Sequence, residues 1–134
     1  MNSSADRIEL ILPFKAEFVS VARLTTSGIA SRIGFDIDTI EDIKVSVAEV
    51  CNRIINIGAG SGGNYTIAFD VAVNRVIISF YSNEDGMNNI FRDEEDELGV
   101  SIINAFMDQV EFGSDNTFIL SMTKSTEGIS RDGE

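Results

Sequence analysis

The residues from Asp38 to Ile57, DTIEDIKVSVAEVCNRIINI, constrain the fold more than any other stretch of the chain. Ile40, Ile43, Val47, Val50 or Cys51, and Ile54 recur at spacings of three and four, which lays one apolar stripe along a helix. Asp38 followed three positions later by Glu41 reads as a capping-box variant with Asp as the cap, and Gly58 as the stop. A helix of this length is stable in water only with its stripe packed against something. With 134 residues, 43% of them hydrophobic, that partner is a single core in a single domain spanning 1–134. Glu49 stands alone among apolar neighbours in the middle of the stretch.

The rest of the chain supplies partners for that stripe. Ile8 to Pro13 is an apolar run closed by the only proline and reads as a strand. From Lys15 the period changes: Phe18, Val21, Ala22, Thr25, Ile29 and Ile33 mark a first helix stopped by Gly34. Gly28 inside it costs about 1 kcal/mol relative to Ala. It marks either a close packing contact or a tolerated glycine. After the loop Gly58 to Gly63, two β-rich runs, Tyr65 to Val73 and Val76 to Ser82, form a hairpin across Asn74-Arg75. Asn83 to Glu97 is a polar, acidic loop, Leu98 to Met107 a third helix, and Thr117 to Lys124 a last strand after a turn at Gly113 to Asn116. The tail 125–134 reads as flexible. This order predicts an α+β two-layer sandwich, a mostly antiparallel sheet with about three helices on one face.

Charge and composition exclude several functions. Ten Lys+Arg against 22 Asp+Glu leave a formal charge of −12, which opposes nucleic acid and anionic membrane alike and favours partners with basic or mixed surfaces. No histidine is present, so Ser-His and Cys-His catalysis and His-ligated metals are ruled out. The single cysteine cannot form an internal disulfide. MNSSADRIEL lacks a signal-peptide layout, and the expected location is the cytoplasm.

Three segments carry a family resemblance: VARLTTSGIASRIGF, IEDIKVSVAE, and LGVSIINAFMDQVEF with the closing ILSMTK. The chain resembles the anti-sigma-factor serine/threonine kinases of the GHKL ATPase superfamily. The resemblance implies a Bergerat (histidine-kinase-like ATPase) fold, ATP and Mg2+ as cofactors, a sigma factor or an anti-anti-sigma antagonist as partner, and a homodimer. In that family a glutamate on the long helix acts as base and an asparagine four residues later holds magnesium. Glu49 matches the glutamate, but the fourth position is Arg53, with Asn52 one residue short and Asn56 two turns beyond. The adenine-binding aspartate falls on Ser82, with Asp85 and Gly86 as a shifted alternative, and of the glycine-rich phosphate lid Gly99 remains, behind Asp93 to Glu97. The resemblance also gives the first helix a partner-binding role through Arg23, with Val19, Ser20 and Ser27 beside it.

The residues admit plainer readings too. Glu49 and Arg53 have the orientation of a favourable helical ion pair, worth about 0.3–0.5 kcal/mol, and Arg23 reads equally as a solvated surface cation. Two functions therefore stand side by side, with a regulatory domain of this fold reused in an unrelated complex as a third, blander reading. One is an anti-sigma-factor-like binding module with a degenerate nucleotide site. The other is an active MgATP-dependent kinase with Glu49 as base and Asn52 as a displaced metal ligand.

Overall fold

The computed structural model describes residues 6–84, 87, 90, 91, 97–113 and 118–127. Strand β1 (Asp6–Pro13) leads through a 3-10 turn (Ala16–Phe18) into α1 (Val19–Ile33) and α2 (Ile37–Gly58). The hairpin β2 (Asn64–Val71) and β3 (Arg75–Tyr81) follows, then α3 (Glu97–Phe106), β4 (Gln109–Phe112) and β5 (Leu120–Ser125). The strands pair antiparallel in the order β1-β2-β3-β5-β4. This is the α+β sheet-and-helix layering expected from the order of elements.

Strand periodicity divides the sheet into two faces. Leu12, Tyr65, Ile67, Phe69, Val76, Ile78, Phe80, Leu120 and Met122 point into the core, where they meet Ile43, Val47, Val50 and Ile54 of α2. The stripe of α2 is thus the one the spacing predicts, and each of these fully buried aliphatics contributes about 1.5–3 kcal/mol. The opposite face is polar. Arg7 Nη1 donates to both Asp70 oxygens at 3.1 and 3.0 Å, and the hydroxyls of Ser79 and Ser121 lie 3.1 Å apart across β3 and β5.

Several expectations change at the level of local structure. The cap of α2 is Asp36, two residues earlier than Asp38, and its carboxylate accepts the Thr39 backbone N–H at 2.8 Å. That bond holds the Asp36 carboxyl below its ordinary value. The reason is the tight junction before it: Gly34 closes α1 with φ 106°, a left-handed turn natural to glycine, and Phe35 drops into the core. Asp36 is then the first residue free to start a new helix.

The buried face of α1 is also rotated from the predicted one. Val19, Ala22, Thr26 and Ala30 are buried, while Phe18 and Val21 are exposed and Ile29 and Ile33 are half-buried. Small side chains let α1 lie close to α2, and the buried Thr26 hydroxyl is satisfied by donating to Ala22 O at 2.7 Å. Gly28 makes no close contact, since a Cβ there would meet open space. A glycine that packing does require is Gly58, where a Cβ would sit 2.6 Å from the Phe14 ring, itself stacked on Tyr65 at 5.7 Å.

Beyond the hairpin, the apolar Met87 and Ile90 are buried in the core, inside a segment read as an acidic loop. Strand β4 was not expected at all. The last strand takes in Ser125, opposite Arg75, and Thr126 N donates to Asn74 O, so the ordered chain runs past the predicted start of the tail. Thr117 and residues 128–134 lie outside the described residues.

Candidate functional site

The α2 helix buries Ile43, Val47, Val50 and Ile54, which leaves Glu49 on the flank of the stripe, half-buried. Facing it is the first turn of α3. Gly99 there is buried, and a Cβ built on it would lie 2.8 Å from Glu49 Oε2 and 3.3 Å from Cδ and Cγ. The two residues are therefore in direct contact across the α2–α3 seam, and only a glycine fits under the carboxylate as it stands. A carboxylate over the first helical turn is favourably placed toward the helix dipole.

The other candidates on α2 do not join them. The helix is α-helical from Ile37 to Gly58, so no π-bulge carries Asn52 toward the Glu49 flank, and both Asn52 and Asn56 are exposed. Arg53, one turn beyond Glu49, is half-buried. It carries a guanidinium where the resemblance calls for a magnesium-binding amide.

Ser82 follows β3, and its hydroxyl is already engaged: it donates to Asn64 O at 3.3 Å and accepts the Glu84 N–H at 3.2 Å. Glu84 folds back over Gly63, where a Cβ would lie 2.9 Å from its Oε2. Gly63, Asn64, Thr66, Tyr81 and these two residues border a cleft of about 230 Å³. Asp85, Gly86 and the acidic residues 93–96 lie outside the described residues.

An ATP–magnesium pair needs a metal-binding amide or carboxylate beside the base, a hydrogen-bond acceptor for adenine and an open backbone cradle for phosphates. Here the residue one turn beyond the base, Arg53, is cationic, Ser82 is spent on backbone groups, and the Gly99 surface is occupied by Glu49. Among the described residues, no group of three or more His, Cys, Asp or Glu converges as metal ligands. The described side chains at these positions do not fit the pair. Cys51, buried in the α2 stripe, is no nucleophile either, because burial pushes its thiol up to about 12.

On α1 the candidates divide. Arg23 and Ser20 are exposed, and Ser20 Oγ donates to Glu17 O. Ser27 is half-buried, whereas Val19 belongs to the core and is not available to a partner. The outward side also carries Leu24, 72% exposed, with Phe18 and Val21, none of which the sequence reading placed there. Leu24 adjoins Arg23 in sequence, and the rotation of the buried face explains why it was missed.

The whole core of the chain, residues 12–124, matches the family of histidine kinase-like ATPase domains. A serine-protein kinase RsbW of Halalkalibacterium halodurans is 38% identical, covering 89% of this chain and 83% of its own length. Serine-protein kinases RsbW of Bacillus thuringiensis and Bacillus anthracis are 32% identical over 99% of this chain and 94% of theirs. The chain belongs to the histidine kinase-like ATPase domain family and, within it, to the anti-sigma-factor serine kinase group. The match to the Bacillus proteins runs over 151 positions, more than the 134 residues of this chain, so those relatives carry residues that it lacks.

Proposed function

We propose that this protein is an anti-sigma-factor-like regulator that binds a sigma factor or an anti-anti-sigma antagonist through the outward side of α1, with its nucleotide chemistry reduced or lost. The observation that carries the reading is the contrast on α1: Arg23, a residue type enriched at interface hot spots, stands exposed beside the exposed apolar Leu24. The formal charge of −12 directs the molecule to partners with basic or mixed surfaces. A homodimer through β1 and α1 suits the same reading, since among the described residues β1 pairs on one side only, with β2, and carries the exposed Ile8 and Ile11. Among the described residues no helix is long and apolar enough to cross a membrane, and the cytoplasm is the site of action this function requires.

The experiment is purification of the tagged protein from its native cell, with and without MgATP, followed by identification of what remains bound. The expected result is a sigma factor or antagonist retained equally in both conditions. Recovery only with MgATP favours the second reading, an active kinase. That reading keeps one observation in its support, the retained Glu49 on α2.

A further inference from the structure

The side chains around Glu49 disagree with the cofactor that the family implies, and the disagreement has a positive content. Helix α3 is held at its C-terminal end by a charge of the sign its dipole favours, and at its N-terminal end it meets a carboxylate. At its C-terminal end Lys124 Nζ donates to Phe106 O at 2.7 Å and lies 3.5 Å from Asp108 Oδ1, while Asp108 Oδ2 accepts Ser125 N–H at 2.8 Å. At its N-terminal end the carboxylate of Glu49 lies against Gly99, in the space a Cβ would fill. A second carboxylate, that of Glu84, covers Gly63 in the same manner. Two glycine surfaces that could admit a ligand's anionic groups are each covered by an anionic side chain of the protein itself.

We propose that Glu49 is a positioning residue, the internal anion that sets the first turn of α3, so that the α2–α3 seam reaches its final form without nucleotide. The proposal rests on the reading that nucleotide chemistry is reduced, and it adds a role for the one family residue that this chain retains. Electrostatics favour it: a carboxylate over the first turn of a helix stands where the dipole favours an anion. Packing favours it as well, because Gly99 is buried under the carboxylate rather than left open.

Amide hydrogen exchange on the full-length protein tests it, comparing wild type, Glu49→Ala and Glu49→Gln, each with and without millimolar MgATP. Without nucleotide, Glu49→Ala is expected to speed exchange in α3 about three- to tenfold, the effect of removing an anion from a helix N-terminus, with α1 and the β2–β3 hairpin unchanged. Glu49→Gln keeps the shape and removes the charge, and it is expected to speed the same amides. Equal exchange in wild type and Glu49→Gln overturns the proposal, since packing alone then accounts for the contact. MgATP-dependent protection of α3 in wild type also overturns it, and takes the reading of reduced nucleotide chemistry with it. The nucleotide-free comparison of variants does not depend on that reading, so the two failures are distinguishable.

Discussion

The outward side of α1 and the seam between α2 and α3 are built on opposite plans. The first leaves Phe18, Val21, Arg23 and Leu24 at the surface and buries small residues beneath them. The second turns its polar residue inward, so that Glu49 covers Gly99 and presents no open cradle. In a chain of this family the two regions would ordinarily divide the work, one for partners and one for nucleotide. Under the proposed function, α1 is the contact surface and the seam a structural joint.

That contrast can be broken most directly at Arg23. Arg23→Glu is expected to weaken capture of the partner about 30- to 1,000-fold, as reversing a central interface charge costs about 2–4 kcal/mol. Its thermal midpoint should stay close to wild type, because the side chain is exposed. Undiminished capture would remove α1 from the comparison.

The joint is sharpened by two glycines with different neighbours. Gly58→Ala drives a methyl into the stacked Phe14 ring and is expected to cost about 1–3 kcal/mol, read by urea unfolding. Gly99→Ala meets instead the mobile end of Glu49. The carboxylate can move aside and alanine favours the helix, so the change in stability should stay within about 0.5 kcal/mol. A large loss at Gly99 would show the carboxylate to be more firmly fixed than a positioning contact requires.

A pH-dependent effect lies at the junction of the two helices. Asp36 has a folded-state value below the ordinary one because it accepts the Thr39 N–H. A depressed carboxyl stabilises the fold above its unfolded value and ceases to do so as pH falls through its folded value. Asp36→Ala should therefore lower the melting temperature at neutral pH, and the gap to wild type should close below about pH 4, the ordinary carboxylate range.

The sequence made α2 legible because its stripe is long, apolar but for Ser46, and set by one period. It made α1 legible as a helix but not in its orientation. The residues that α1 buries are Val19, Ala22, Thr26 and Ala30, mostly small or polar, and a hydrophobicity pattern weights them less than Phe18 and Val21, which the fold leaves outside. Strand β4 has four residues, too few for its alternation to register. Met87 and Ile90 were hidden by polar neighbours, although their spacing of three was a sign of one buried side. The site divided along similar lines. The presence of Arg53 where the resemblance implies an amide was readable in the sequence, whereas the meeting of Glu49 with Gly99 joins residues 50 positions apart and belongs to the tertiary fold.

Cys51 gives the molecule a built-in clock. It is the only thiol in the chain, it is fully buried in the α2 stripe, and its ionisation is pushed up to about 12. An exchange reagent can reach it only when the helix layer lifts off the sheet. The rate at which this one sulfur is capped then counts core-opening events, with no label, tag or added chromophore, and without registering motions of α1's outer surface.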